Sequence, residues 1–75
     1  MIKEFDKKLA ENIRNTRIEL GMSQTATARR MGSNPQTVWN VEHARNTPTV
    51  LTLVRLAKAM RVSPLKFLSG LEDLV

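Results

Sequence analysis

The sequence predicts an all-α fold of five helices in one small domain. One reason is a helical period near the amino terminus, where apolar or small residues recur at intervals of three or four and not two. A second reason is that residues that end helices alternate along the chain with residues that start them. No segment has the pattern of a strand. Seventy-five residues support one modest core, so residues 1–75 are expected to form a single domain. The periodic positions are Ile2, Phe5, Leu9, Ile13, Thr16 and Leu20.

Charge and composition limit the possible partners. The formal net charge is +5, and residues 21–71 carry seven basic side chains against one acid, Glu42, which gives a local +6. This excess favours a polyanionic partner, with an ordinary solvated basic surface as the alternative. The absence of cysteine excludes disulfides and thiolate metal sites. No apolar run is long enough to span a membrane, and a cytoplasmic location is expected.

The first two helices are delimited by small and polar residues. The first is predicted over residues 4–20, and Gly21 supplies the left-handed residue that ends it. Ser23 then caps a second helix over residues 24–31. We expect Thr27, Ala28 and Met31 to point inward, and Arg29 and Arg30 to point outward.

The third helix, over residues 34–42, is the one around which the rest is organised. Asn34 is a favourable N-cap and Pro35 suits the first helical position, where its missing N–H is not needed. Val38 and Val41 form an apolar stripe on the rear. Two short helices joined by a turn containing glycine give a helix-turn-helix over residues 23–43. The opposite face combines Pro35, Gln36, Trp39 and Asn40.

The carboxyl-terminal third of the chain predicts two more helices. Pro48 and Thr49 start a helix over residues 50–60, and Ser63 with Pro64 starts a last turn or two. The fourth helix is expected to bury Val50, Leu53, Val54, Ala57 and Met60, to leave Leu51 off that stripe, and to expose Arg55, Lys58 and Arg61.

Several of these segments resemble the helix-turn-helix domain of the lambdoid phage repressor and Cro (XRE-like) family. The matching segments are Arg-Ile-Glu-Leu-Gly-Met-Ser-Gln at 17–24, Ala28-x-x-Met31-Gly32, Gln36-Thr-Val-x-x-Val-Glu42 and residues 53–68. The resemblance covers about residues 9–70 and implies a five-helix lambda-repressor-like DNA-binding fold. The chain departs from the family pattern at Thr27, Pro35, Trp39 and Ala44.

The outward face of the third helix is the candidate base-reading surface. Gln36 and Asn40 can each offer a donor and an acceptor, which is the combination that binds adenine N6 and N7. Trp39 is expected to be exposed and to contact DNA, with partial packing on the second helix as the alternative. For Gln36 and Asn40, the alternative is that both amides are solvated and contact no base. Pro35 and Thr37 complete this set.

The resemblance also implies phosphate contacts and an internal ion pair. Gln24 matches a glutamine that binds backbone phosphate in the family, and the amino end of its helix favours anions. Arg17 and Glu42 match a pair that joins the first helix to the third; the alternative is an independent, solvated Glu42. The expected phosphate contacts are Gln24, Ser23, Asn34, His43, Arg45, Asn46 and Arg17, while Arg29 and Arg30 fit either a phosphate contact or a solvated face.

The chain has more apolar residues than a small monomer buries easily, which predicts a homodimer. The resemblance places the interface at residues 62–66 and at Leu51, and the predicted dimerisation region is about residues 60–75. A two-fold dimer would set two recognition helices about 34 Å apart. The expected interface residues are Leu51, Val62, Leu65, Lys66 and Leu71.

These observations predict a dimeric, sequence-specific regulator of transcription on a pseudo-palindromic operator. It resembles a Cro-type repressor or a restriction-modification controller, and is expected in the cytoplasm, associated with the nucleoid when bound. The alternatives are an antitoxin or a protein-binding module, with polymerase or a toxin as protein partner. One histidine, no cysteine and no tyrosine argue against an enzyme, a metal site or a cofactor.

Overall fold

The computed structural model describes residues 3–75, and within them every regular element is helical. The four α-helices are α1 (Lys3–Glu19), α2 (Gln24–Met31), α3 (Pro35–Glu42) and α4 (Val50–Met60). Two 3₁₀ helices follow, Pro64–Leu68 and Leu71–Leu74. The all-α prediction is confirmed, and the fifth helix is a 3₁₀ helix. The expectation for Ile2 lies outside the described residues.

The predicted caps hold the helix starts. The side chains of Ser23, Asn34 and Thr49 accept hydrogen bonds from backbone N–H groups three residues later, so each satisfies a donor left free at a helix start. Ser63 caps the first 3₁₀ helix in the same manner, by accepting from the N–H of Leu65. Gly21 has a φ of 68°, which is the left-handed conformation predicted for the end of α1.

The core lies where α1, α3, α4 and the carboxyl-terminal 3₁₀ helices meet. Thr27 is fully buried in α2, and its hydroxyl donates to the carbonyl of Ser23 at 2.9 Å. This bond satisfies the hydroxyl, which explains how a polar residue can occupy a buried position where the family that the chain resembles has an aliphatic one. The core cluster consists of Leu9, Ile13, Val41, Leu56, Ala57, Met60, Phe67 and Leu71.

The predicted buried face of α4 is wrong in part. Val50 is 76% exposed and Val54 is 46% exposed, whereas Leu56 is completely buried. Because α4 has apolar residues around most of its circumference, two overlapping stripes fit a helical period, and packing against α2 and the first 3₁₀ helix selects one. Leu20 is also exposed, since α1 ends one residue before it.

Long-range polar contacts attach the chain's later segments to α1. The amide of Asn12 donates to the carbonyls of Phe67 at 2.8 Å and Ser69 at 2.9 Å, which fixes the end of the first 3₁₀ helix. The Thr47 hydroxyl donates to the buried carboxylate of Asp6, which fixes the loop after α3. In residues 3–75 no helix is long and apolar enough to cross a membrane.

Candidate nucleic-acid interface

The α2–α3 unit has helix-turn-helix geometry. Gly32, with φ of 70°, ends α2, and Asn34 starts α3 two residues later. The Ser33 hydroxyl donates to the Thr37 hydroxyl at 2.9 Å, which ties the turn to the first turn of α3. The angle between the two helices is therefore fixed by local hydrogen bonds as well as by packing.

One face of α3 is buried and the other is available to a partner. Val38 is completely buried and Val41 nearly so, as the predicted rear stripe requires. On the other side Pro35 and Gln36 are exposed, whereas Thr37, Trp39 and Asn40 are half-buried. The five residues predicted to read bases thus lie together on an accessible surface of one short helix.

Gln36 and Asn40 are bonded to each other. The Gln36 amide nitrogen donates to Asn40 Oδ1 at 2.9 Å across one turn of α3. This bond leaves Gln36 Oε1 as an acceptor and the Asn40 NH₂ group as a donor. The pair therefore presents the donor and acceptor combination that an adenine edge requires, from two side chains already held in place.

Trp39 is the centre of an aromatic and cationic stack. The His43 ring lies 3.8 Å from the Trp39 ring, centroid to centroid, with 13° between the planes. The Arg45 guanidinium carbon lies 5.4 Å from the Trp39 centroid, within the range of a cation–π contact. His43 Nδ1 donates to the Trp39 carbonyl at 2.9 Å, which leaves Nε2 free to meet a ligand. Trp39 thus positions two residues that were predicted to contact phosphate.

The ion pair between Arg17 and Glu42 fixes α3 from behind. Arg17 Nε lies 2.7 Å from Glu42 Oε2, and Nη2 lies 2.9 Å from Oε1. The Glu42 side chain is completely buried, and Gln24 Nε2 also donates to it, at 3.2 Å. The hydrogen bond to Glu42 raises the pKa of Arg17, against the opposite effect of burial. The remaining guanidinium nitrogen, Nη1, donates to the Met22 carbonyl at 2.8 Å.

This network changes what Arg17 can do. All three of its side-chain nitrogens donate within the protein, and the side chain is 12% exposed. These bonds hold the Arg17 side chain between α1, α3 and the start of α2, and its phosphate contact stays a prediction. Gln24 uses one amide N–H to join the start of α2 to the ion pair. Its amide oxygen and its second N–H remain available for other hydrogen bonds.

The loop after α3 presents further polar groups. Arg45 and Asn46 are exposed, and Ala44 takes up a left-handed conformation with φ of 51°. A small groove of about 230 Å³ runs beside α3, lined mainly by hydroxyl and amide side chains, with no charged residue. Its lining includes Thr37, Asn40, Asn46, Thr47, Thr49 and Thr52. Sequence reasoning missed this groove and the Asp6–Thr47 contact that holds its loop, because both depend on distant segments meeting.

The predicted dimer residues divide into two groups. Leu51 is 59% exposed and Leu65 is 73% exposed, and Val62 is half-buried. Lys66 is exposed, and its Nζ lies 3.6 Å from Glu19 Oε2. Leu71 is buried in the core of the monomer, so its expected place in a dimer interface is corrected: the second 3₁₀ helix uses it to close the core against α1.

Comparison with known proteins defines the family. Residues 13–67 match the HTH_3 helix-turn-helix family model. This chain belongs to the HTH_3 helix-turn-helix family. An uncharacterised HTH-type transcriptional regulator of Sinorhizobium fredii, y4dJ, is 31% identical over 70 residues, which is 93% of this chain and 91% of that protein.

Solved structures of similar proteins have the same fold. An HTH_3 family transcriptional regulator from Vibrio cholerae superposes with a TM-score of 0.86 at 25% identity, over 99% of this chain and 42% of that longer one. The restriction-modification controller protein C.AhdI from Aeromonas hydrophila superposes with a TM-score of 0.77 at 24% identity, over 81% of this chain and 92% of its own.

Membership of the HTH_3 family identifies the chain as a DNA-binding regulator of transcription. Its relatives are regulators of transcription and not enzymes, which agrees with the prediction from the sequence. Among residues 3–75, no group of three histidine, aspartate or glutamate side chains is placed to hold a metal ion.

Proposed function

We propose that the chain is a homodimeric repressor or controller that binds a pseudo-palindromic operator, with α3 in the major groove. The observation that carries this proposal is the bonded pair of Gln36 and Asn40 on a helix held rigidly from behind. A short helix with a fixed rear and outward amides suits direct readout of base edges. Base contacts are assigned to Gln36, Trp39 and Asn40, with Pro35 and Thr37 beside them.

Phosphate contacts flank this helix. On one side, the exposed Arg45 supplies positive charge and Asn46 supplies a hydrogen-bond donor, and the exposed His43 ring lies beside them. On the other side, the N–H groups at the start of α2 that are not used in capping can donate to an anion beside Gln24. Ser23 and Asn34 use their side-chain oxygens as caps, which leaves the Ser23 O–H and the Asn34 NH₂ group to donate to phosphate. Such contacts set register and affinity, and the α3 face sets sequence preference.

The exposed apolar residues of the carboxyl-terminal half support the dimer. Large apolar side chains outside the core are concentrated on α4 and the first 3₁₀ helix. Exposed apolar side chains concentrated in one part of the chain favour an interaction surface there. We assign the interface to Leu51, Val54, Val62, Leu65, Lys66 and Leu68, and a cytoplasmic, nucleoid-associated location follows from the proposed role.

Selection of duplexes from a randomised library tests the proposal. The selected DNA should contain inverted half-sites about one helical turn apart, and should bind about a thousandfold more tightly than scrambled DNA in fluorescence anisotropy. Log affinity should fall linearly with log salt. Equal, weak binding to both DNAs would overturn the proposal and favour a protein-binding module or antitoxin.

Sedimentation equilibrium tests the dimer separately. The wild-type chain should sediment at twice its 8.5 kDa mass. A Leu51→Glu, Leu65→Glu variant should be monomeric and bind the selected DNA far more weakly. Ile18→Glu changes an exposed apolar residue on α1, outside the assigned interface, and should remain dimeric. A wild-type monomer that binds the full operator would contradict the dimer assignment.

A further inference from the structure

A basic cleft lies between the carboxyl-terminal halves of α2 and α4. It is an open depression of about 530 Å³, and four of its six lining residues are cations. No acidic residue lines it. The lining consists of Arg30, Met31, Arg55, Lys58, Ala59 and Arg61.

The four cations have no ionic partner in the described part of the chain. The ion pairs formed there are Arg17–Glu42 and Lys66–Glu19, and neither involves the cleft. Arg30 makes one internal hydrogen bond, from Nη1 to the carbonyl of Ala59 at 3.3 Å. Like charges gathered around a depression repel one another, and a bound anion removes that repulsion.

The conformation of Arg61 is a second, independent observation. Arg61 ends α4 in the left-handed region, with φ of 58°, where glycine is the favoured residue because it has no Cβ. A charged side chain is retained there despite the strain, and it lines the cleft. Strained residues of this kind cluster at functional sites.

Compensation of helix dipoles explains only part of the cluster. Lys58 and Arg30 lie in the last turns of their helices, where cations are favourable. Arg55 lies in the middle of α4, where the dipole contributes little, and dipole compensation does not require the strained Arg61. A role in binding accounts for all four positions together.

The chemistry of the cleft distinguishes between anionic partners. Ala59 is buried and Met31 is half-buried, so an apolar floor lies within a cationic rim. A peptide can place an apolar side chain on that floor and carboxylates at the rim. A sugar–phosphate backbone has the charges, but between them it carries only a sugar ring and no long apolar side chain that could reach that floor.

The cleft is separate from the proposed DNA-binding surface. Its residues belong to α2 and α4 and include none of α3 or of the loop over residues 43–49. The α3 face and the cleft can therefore be occupied at once. Arg55 and Lys58 are neighbours of Leu51 and Val54 along α4, so the cleft borders the assigned dimer interface. We propose that this cleft docks an acidic peptide segment, with apolar side chains among its carboxylates, from a protein partner of the regulator.

Anisotropy of a labelled peptide tests the inference without any DNA. The probe is a fluorescein-labelled peptide of twelve residues that alternates glutamate with leucine, and the comparison peptide replaces each glutamate with lysine. The acidic peptide should bind the full-length chain, and an Arg55→Glu, Lys58→Glu variant should bind it at least about tenfold more weakly. Arg14→Glu reverses an exposed charge on α1, outside the cleft, and should change the affinity by less than about twofold.

Arg61→Gly separates binding from folding. This variant relieves the left-handed strain, so its Tm should rise while its affinity for the peptide falls by about threefold or more. Affinity for the selected operator should fall in the cleft variants only by the uniform effect of net charge, which changes by four in Arg55→Glu, Lys58→Glu, by two in Arg14→Glu and by one in Arg61→Gly. Sedimentation equilibrium should show that both cleft variants remain dimers.

Three outcomes would overturn the inference. The first is equal binding of the acidic and basic peptides, and the second is loss of peptide binding in Arg14→Glu equal to that in the cleft variants. The third is a greater loss for operator DNA than for peptide, which would assign the cleft to nucleic acid. Because the peptide assay contains no DNA, failure of the DNA-binding proposal would appear only in the operator measurement.

Discussion

Gln36 Nε2 donates to Asn40 Oδ1 at 2.9 Å, so the two amides on the outward face of α3 form one unit. Each fixes the other's rotamer before DNA arrives, which lowers the entropy lost on binding. The unit is backed by Val38 and Val41 and by the buried Glu42, so α3 cannot shift without disturbing α1. The proposed readout by this helix would therefore depend on residues behind it as well as on the two amides.

The shared hydrogen bond predicts that the two amides are energetically coupled. Gln36→Ala and Asn40→Ala should each lose about 1–3 kcal/mol of discrimination between preferred and altered base pairs. The double variant should lose less than the sum, since either single change already breaks the shared bond. Competition anisotropy on matched duplexes measures this, with Asn15→Ala as an exposed amide control on α1. Strict additivity would show that the two residues read DNA independently.

The stack on Trp39 predicts a difference between aromatic and aliphatic replacements. Trp39→Ala removes the ring that His43 and Arg45 contact, and should weaken DNA binding by about 1–2 kcal/mol. Trp39→Phe keeps an aromatic face and should retain most of the affinity. Trp39 is the single tryptophan of the chain, so its emission in the wild type should also be shielded from acrylamide by operator DNA. Unchanged quenching and affinity would place Trp39 outside the interface.

The buried ion pair predicts a large cost when one partner is removed. Arg17→Met leaves Glu42 charged and buried, and should lower the free energy of unfolding by about 3–5 kcal/mol. Replacing both, as Arg17→Met with Glu42→Leu, should restore most of that loss. Glu19→Gln breaks the exposed pair with Lys66 and should cost less than about 1 kcal/mol. Urea titration followed by circular dichroism gives the free energy of unfolding of the wild type and of the three variants. A double variant no more stable than Arg17→Met would refute the explanation.

The pKa of Arg17 sets the pH range of this stabilisation. Its hydrogen bond to Glu42 raises the pKa further above an already strongly basic value. A cation with a raised pKa stabilises the fold fully below its unfolded-state pKa, and this contribution is lost only as pH rises through the folded-state pKa. The difference between wild type and Arg17→Met should therefore stay constant from about pH 7 to about pH 10. A decline across that range would assign the effect to another group.

The left-handed backbone at Ala44 predicts a stabilising substitution. With φ of 51°, alanine is strained there by its Cβ, and Ala44→Gly should raise the free energy of unfolding by about 1 kcal/mol. Ala26→Gly makes the same chemical change inside α2, where it should lower stability by about 1 kcal/mol. Thermal unfolding of both variants is the measurement. A loss of stability in Ala44→Gly would mean that the methyl group contributes more by packing than it costs in strain.

Much of the fold and the candidate site was predictable from local signals. Ser23, Asn34 and Thr49 start helices because their side chains accept from N–H groups only three residues away, and Gly21 ends one by its own conformational freedom. The rear stripe of α3 follows from its period, which leaves Gln36 and Trp39 outside the core. These properties depend on nearest neighbours along the chain, so the sequence alone determines them.

Other properties were decided by segments that meet only in the folded chain. The sequence offered two buried faces for α4, and contact with α2 selected the one containing Leu56. Leu71 became a core residue because the second 3₁₀ helix packs on α1. The Asp6–Thr47 bond and the basic cleft around Arg55 likewise join residues far apart in sequence. The helical period shows which face of a helix is apolar. Whether that face is buried depends on which other helix packs against it, and the tertiary structure decides this.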